Sequence, residues 1–392
     1  MNPSPVFTPS RIESHAPFHE PRQLTEEQRE AYRQSSIRSR EAKNAAIRGL
    51  GPKPLHDVNI PNLDPSSLMP QLKSTCLPTL SLFSGGGGLD LGFDRAGFTH
   101  KGSWELMEDA AKTLRTAQPT WDVHGGEDGD VRGVDWRPYR TNVAVVHGGP
   151  PCQPFSNAGR QKGKDDPRNM WPEFVRAVRQ VRPEVFVAEN VAALAGKTFT
   201  DFVDQEILTP LRQQYHIRTV TLNACDFGVP QIRKRVFFFG FRNRHLVERW
   251  TVPNPTHQGV GRDSRLPETM GARKSLGLPD IGFDSFIPTV RSGLTGPRHT
   301  TSILSSVSAQ KKFETLQIWP NGVSADRHAA QAFVARNGHF RLSVPDVAVL
   351  QGFPEFWKFS GAVYMQLGQI GNSVAPPVAY RVAESIRAAF EK

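Results

Sequence analysis

From Thr79 to about Phe241 short apolar runs alternate with stretches whose apolar residues recur at helical spacing, and few folds tolerate that alternation. The runs are Thr79 to Phe83, Val143 to Val146, Val185 to Ala188 and Val236 to Phe239. The helical stretches include Leu89 to Ala96 and one carrying Phe174, Val178 and Val181. Runs this apolar are buried on both faces, as happens when helices cover the two sides of a parallel sheet. The prediction is an α/β fold built on a doubly wound parallel sheet. Such sheets bind ligands beyond the carboxyl ends of their strands, so residues at strand ends are where chemistry is sought.

The alternation fails after Phe241. About a hundred residues follow that are rich in Pro, Gly, Ser, Thr and Arg with only short apolar runs, which predicts a smaller, loop-rich module over 242–340. Helical patterns resume at Pro345 to Gln351 and at Ala375 to Phe390, so 341–392 is read as a return to the first domain, with the last helix packed on the sheet. Residues 1–75 are polar and predicted to be a basic, partly disordered extension preceding a domain at 76–241. They contain one helix, started by a capping box of Thr25 with Gln28, continuing to about Ile47 and stopped by Gly49 to Pro54. That helix carries Arg29, Arg33, Arg38, Arg40, Lys43 and Arg48, either as a solvated face or as a DNA backbone contact.

Composition narrows the function classes. At 392 residues and 38% hydrophobic content the chain can bury a large core, and no apolar stretch approaches the roughly 20 residues a membrane span needs. The polar start, Met1 to Pro21, lacks a secretion signal's apolar core, so the expected location is cytoplasmic. Three cysteines, Cys76, Cys152 and Cys225, make no disulfide framework and no metal-ligand pair, so reduced thiols and no metal are expected. A net charge of +10 makes a polyanion the first partner to consider, with nucleic acid ahead of an anionic membrane.

Six segments carry chemistry. Gly148 to Ser156 reads Gly-Gly-Pro-Pro-Cys-Gln-Pro-Phe-Ser and follows the Val143 to Val146 run, presenting Cys152 as a nucleophilic thiol on a rigid turn at a strand end. Phe83 to Gly88 follows the first run and opens a helix, where glycines let the backbone approach a ligand and free amides receive a polar group. Glu105 lies 22 residues past Phe83 (105 − 83), where a nucleotide-binding sheet holds ribose hydroxyls, and Asp130 could accept from an exocyclic amine. The loop's Gly-x-Gly-Gly character points to a mononucleoside cofactor rather than a dinucleotide. Glu189, in Glu-Asn-Val after Val185 to Ala188, either shares a proton near Cys152 or caps the next helix. Gln231-Ile-Arg-Lys-Arg235 puts Arg233 and Arg235 on one face of the next strand, for a phosphate or a carbonyl oxygen. Cys76 and Cys225 lack such company and read as structural thiols.

Taken together, these segments resemble the DNA cytosine-5 methyltransferases of bacterial restriction-modification type, in the family's order from about residue 79 to the C-terminus. Phe83 to Gly88 looks like the family's S-adenosyl-L-methionine (AdoMet) loop, Gly149-Pro-Pro-Cys-Gln the nucleophile loop, Glu189-Asn-Val the acid motif and Gln231-x-Arg-x-Arg235 the arginine motif. Arg341-Leu to Gln351-Gly-Phe-Pro354 and Gln369-Ile-Gly-Asn-Ser-Val-Ala-Pro-Pro377 resemble the last two. Met107 departs from the Asp usual after the ribose acid, and Asp166 to Trp171 is a loose version of the adenine-side wall.

The resemblance implies a Rossmann-like AdoMet-dependent catalytic domain clasping DNA with a target-recognition domain over 242–340. It assigns cofactor contacts to Phe83, Gly85, Gly87, Gly88, Leu89, Glu105, Asp130, Pro150, Asn372 and Ser373, and catalysis to Cys152, Glu189, Arg233 and Arg235. DNA contacts would come from Gln153, Ser156, Arg291, Arg298 and Thr300. In the implied reaction Cys152 adds to C6 of a flipped cytosine in double-stranded DNA and the methyl group goes to C5. The enzyme is expected to be a nucleoid-associated monomer, protecting DNA from a restriction endonuclease with which it forms no stable complex. Two alternatives stay open: a tRNA cytosine-5 methyltransferase, whose usual Cys-Phe-Thr signature is missing here, and a DNA-binding repressor using the helix at 25–48. The intact Cys152, Glu189 and Arg235 argue against the second. The DNA word itself is not legible.

Overall fold

The structure, a computed structural model, describes residues 25–50, 56–151, 169–260, 265–292, 294, 300–332 and 338–391. The expected first helix is α1 (Glu26–Ile47), and its capping box forms: the Gln28 amide donates to Thr25 Oγ1 and the Thr25 amide to Gln28 Oε1, both at 3.2 Å. Two of its basic residues are matched by acids one turn away, Arg29 by Glu26 and Arg33 by Glu30.

Seven strands then make one sheet: β1 (Pro78–Leu82), β2 (Thr99–Glu105), β3 (Val123–Gly125), β4 (Val145–Gly148), β5 (Val185–Val191), β6 (His216–Asn223) and β7 (Lys234–Phe241). The helices α2 (Gly88–Arg95), α3 (Glu108–Ala117) and α4 (Trp171–Val181) fall between them. The strand order is β3-β2-β1-β4-β5-β7-β6, parallel from β3 to β5. The order reverses between β1 and β4, which opens a crevice at their carboxyl ends.

One strand departs from the expected parallel sheet. β7 runs antiparallel to both β5 and β6. The link from Asn223 to Lys234 holds only the short turn Ala224–Phe227, too little chain for the crossover that a parallel return demands. Burial on both faces is as expected: Phe237, Phe239 and Phe241 join one apolar cluster with Val145, Val185 and Val187, while Val236 and Phe238 join the other with Leu80, Val146 and Phe186. Helix α4 covers the second face through Trp171, Phe174 and Val178. The terminal helix, Pro376–Glu391, covers the first beside Phe93 of α2, through Val378, Ala379 and Tyr380.

Beyond β7 the chain holds short helices and a two-stranded parallel sheet, β8 (Ile318–Ser324) with β9 (Phe340–Ser343). Its buried residues Ile287, Val290, Ile303, Phe313, Leu316, Ile318 and Phe340 belong to the same apolar cluster as the helix Val344–Gln351. Since β9 straddles the expected boundary at 340/341, strand pairing crosses it.

The extension expected up to residue 75 is shorter than predicted. Leu63 and Met69 are buried, and Asn59 donates to the Leu276 carbonyl and to Asp346 Oδ1, both at 3.0 Å. Isolated apolar residues separated by prolines and serines carry no periodicity, so this docking has no local signal.

Candidate active site

The loop between β1 and α2 is shaped by left-handed backbone. Phe83 has φ 56° and Gly87, which precedes the first residue of α2, has φ 81°; side chains other than glycine are uncommon there. The loop is held from one side by Glu105 at the end of β2, whose Oε2 accepts the Gly85 amide and Oε1 the Met107 amide, both at 2.7 Å. From the other side the C-terminal segment closes on it. Trp357 Nε1 donates to the Gly86 carbonyl at 2.9 Å, and a side chain at Gly88 would run into the Val374 carbonyl.

These residues fit a nucleoside-bearing cofactor. Each Glu105 oxygen keeps a second lone pair after accepting one amide. A Cβ built on Gly85 would meet nothing nearer than the Phe83 carbonyl at 4.0 Å, so the backbone there is open to approach. Burial pushes the Glu105 carboxyl above its ordinary range while the two amides pull it back. Leu89 is buried at the start of α2, Pro150 is buried beyond β4, and Asn372 is exposed. Ser373 is buried with its hydroxyl donating to the Gln369 carbonyl at 2.8 Å.

Two further carboxylates differ in availability. Asp130 accepts Arg132 Nε at 2.9 and 3.0 Å and the Arg132 amide at 3.0 Å. Its lone pairs are therefore committed to Arg132, and an exocyclic amine would have to displace that guanidinium; the i, i+2 pairing has no signature in the sequence. Glu189, in contrast, is buried and points at the next loop. A Cβ on Gly149 would stand 3.0 Å from Glu189 Oε2, and Asn190 Nδ2 donates to the Pro150 carbonyl at 3.0 Å. Arg235 Nε lies 2.9 Å from Glu189 Oε1. Burial pushes the Glu189 carboxyl up, and the charges of Arg235 and then Arg233 oppose the shift without cancelling it. The acid motif thus flanks the loop whose next residues include Cys152. Cys152, Gln153, Ser156 and Arg298 lie outside the described residues.

Arg233 and Arg235 do not make an equivalent pair. β7 begins only at Lys234, and Arg233 lies before it, 1% exposed, donating to the carbonyls of Gly371 at 2.7 Å and Ser373 at 2.8 Å. Sharing a strand face with Arg235 would need a strand at 233, where there is none. Arg233 instead ties the arginine motif to the last motif, and Gln351 Nε2 meets the same Ser373 carbonyl at 2.8 Å. Gln231 joins in, donating to Gln351 Oε1 at 2.7 Å.

Gln231, Asn190, Gln351 and Trp357 build the site alongside the expected residues. Gln231, Asn190 and Gln351 sit inside recognised motifs, which was the available signal. Trp357 reaches a loop 271 positions away, and no local pattern announces that. Among the base-reading candidates, Thr300 Oγ1 accepts the Ser302 amide at 3.1 Å, ordinary turn chemistry, and Arg291 is half-buried with its amide on the Ile303 carbonyl. Cys225 is buried with its thiol pushed up to about 12, as suits a structural residue. No metal-holding cluster occurs among the described residues, nor a helix long and apolar enough to cross a membrane.

A crevice at a strand-order reversal, bordered by a glycine loop and a strand-end acid, with a second buried acid facing the next loop, fits an enzyme of the doubly wound class. Residues 77–388 match the C-5 cytosine-specific DNA methylase family, and the chain belongs to it. It is a DNA cytosine-5 methyltransferase. The chain is 31% identical to the type II methyltransferase M.NgoMIV of Neisseria gonorrhoeae, over 80% of its own length and 98% of that protein's. It is 33% identical to the type II methyltransferase M1.HphI of Haemophilus parahaemolyticus, over 79% and 86%. The fold is shared with the Dnmt2 methyltransferase of S. pombe, with a TM-score of 0.51 at 17% identity over 79% of this chain and 98% of that one.

Proposed function

We propose that this enzyme methylates C5 of one cytosine within a short double-stranded DNA word, using AdoMet, a covalent Cys152 adduct and a flipped base, and that it shields DNA from a paired restriction endonuclease. The observation that carries the reading is the buried Glu189, salt-bridged by Arg235 and set against Gly149 on the loop that leads to Cys152. Its type II methyltransferase relatives support the restriction-linked role.

Phe83 to Leu89, Glu105, Pro150 and Asn372 are the residues that would hold AdoMet, which when bound supplies an electrophilic methyl group. Cytosine C5 is a weak nucleophile until the ring is converted to an enamine. The Cys152 thiolate does this by adding to C6. Glu189, whose carboxyl burial pushes up and so makes a better proton carrier, shares a proton with N3 as negative charge grows there, and Arg235 holds Glu189 in place and reaches for O2. After transfer a water molecule acting as base takes the C5 proton, the C6–S bond breaks to release the Cys152 thiolate and restore the 5,6 double bond, and N3 returns its proton to Glu189. Arg233, clamped on the carbonyls of Gly371 and Ser373, positions the motif rather than touching the base.

Residues 242–340 are the proposed target-recognition domain, with Arg291, Arg298 and Thr300 as base-edge candidates and Gln153 and Ser156 contributing from the nucleophile loop. The enzyme would act as a monomer in association with the nucleoid. Bisulfite sequencing of DNA from a methylation-free host expressing this chain, beside Cys152→Ser, tests the proposal. Protection of one short motif, absent in the mutant, is expected. Unmodified DNA from soluble, AdoMet-binding protein would overturn the substrate and move the search to tRNA.

A further inference from the structure

A second basic site lies away from the catalytic crevice. An open groove of about 810 Å³ runs between α4, the turn before β4 and the helical stretch 200–212, lined by Arg140, Arg176, Arg179, Arg182, Glu206 and Gln214 among others. Arg140 precedes β4, Arg182 sits between α4 and β5, and Gln214 comes just before β6. β4 and β5 are parallel, and β6, antiparallel to β7, shares their direction. The groove therefore ends at the amino edge of the sheet. Glu189 and the glycine loop stand at the opposite edge.

The charge in it is largely unspent. Arg176 is committed to Glu173 and to the carbonyls of Val131 and Val134. The guanidinium groups of Arg140 and Arg179 have no hydrogen-bond or ion-pair partner among the described residues. Arg182 Nε and Gln214 Oε1 are buried atoms that likewise lack one. Arg179 and Arg182 at the carboxyl end of α4 could be explained by the helix dipole. Arg140 cannot, since it comes from another element, yet it faces the same opening. Glu206 is the one acid lining the groove.

We propose that this groove binds phosphate oxyanions, and that its open shape takes them from the backbone of duplex DNA passing outside the catalytic crevice. Arginine forks suit phosphate, and an open trough admits a strand where a closed pocket would not. The contact is sequence-independent and adds to affinity without touching the flipped base.

The test uses the full-length protein and the Arg140→Gln/Arg179→Gln variant, whose changes fall on exposed, unpartnered side chains. Fluorescence anisotropy with a labelled duplex of scrambled sequence is followed across salt concentrations. Loss of two phosphate contacts should lower the slope of log affinity against log salt by about 2 and raise Kd on the order of tenfold. Glu206→Gln should tighten binding, and single-turnover methylation at saturating DNA should be unchanged in both variants. A parallel titration with tripolyphosphate separates the sources. If the variant loses tripolyphosphate binding while the duplex slope stays the same, the site stands but free polyphosphate is its ligand. If neither moves, the proposal is overturned, whatever the outcome of the bisulfite experiment.

Discussion

The sheet domain and the small module behind it satisfy their backbones by opposite means. Within β1 to β7 backbone pairs with backbone, so side chains at strand ends are spared that task, and Glu105 and Glu189 reach the loops beyond the sheet. In the module, side chains do that work. Arg273, 2% exposed, donates to the Leu316 carbonyl at 2.8 Å and the Pro279 carbonyl at 2.7 Å, Arg341 just past the module's end grips the Gly322 carbonyl at 2.6 Å, and Asp284 accepts the amides of Arg273, Lys274 and Ser285. A loop-rich unit has few ladders, and buried carbonyls must be met by something. The difference teaches that buried charge in the module serves the backbone, whereas at the carboxyl edge of the sheet it faces the loops where chemistry is proposed.

That contrast can be broken at three points, and the largest effect belongs to Glu189. Glu189→Gln should slow single-turnover methylation by about 10²- to 10⁴-fold, the usual worth of a positioned acid, with thermal stability little changed. Burial raises the Glu189 carboxyl, so the wild-type proton is held toward neutrality and lost as pH rises. The wild-type rate should therefore fall on the alkaline side of that raised pKa. The glutamine variant cannot titrate and should lack this limb. A large loss of stability with no kinetic defect would make Glu189 scaffolding too.

Arg273→Ala tests the other side. It strips partners from the carbonyls of Leu316 and Pro279, and breaking such a buried charged contact costs about 3 kcal/mol. Urea unfolding should report that loss, and calorimetric AdoMet binding in native buffer should persist because the glycine loop is untouched. If AdoMet binding disappears with the module, the two regions do not behave as different kinds of structure.

The smallest effect concerns a buried group of the sheet that takes no part in the reaction. His147 on β4 is stacked on Phe93 with ring centroids 4.3 Å apart, and burial lowers its pKa to about 4. A depressed histidine contributes stability that is intact above its unfolded pKa near 6.5 and drains away as pH falls toward 4. At pH 5 the wild type should have lost about 2 kcal/mol through this residue. His147→Gln should show a flatter stability profile between pH 6.5 and 4. Parallel profiles for the two proteins would remove His147 from the account.

The arginine motif shows where reading along the chain stops. Gln231, Arg233 and Arg235 are adjacent in sequence and were read as one functional unit, yet Arg235 meets Glu189 while Arg233 and Gln231 are buried in a network with Gln351 and Ser373. β7 starts at Lys234, one residue too late to put Arg233 on the same strand face as Arg235. The glycine loop was legible because its conformation is local. Its closure by Trp357 and Val374 was not, because those contacts depend on how the C-terminal helices dock.

By itself the sequence determined the alternating elements, the capping of α1, the glycine loop, the strand-end acids and the break in pattern after Phe241. All of these rest on interactions between near neighbours, which periodicity and capping chemistry record. Only the tertiary structure decided that β7 runs antiparallel, that residues 59–69 are docked, that Asp130 is held by Arg132 and that Arg233 is a clamp. Each of those depends on which distant backbone groups needed a partner once the core had closed, and a one-dimensional pattern carries no term for that.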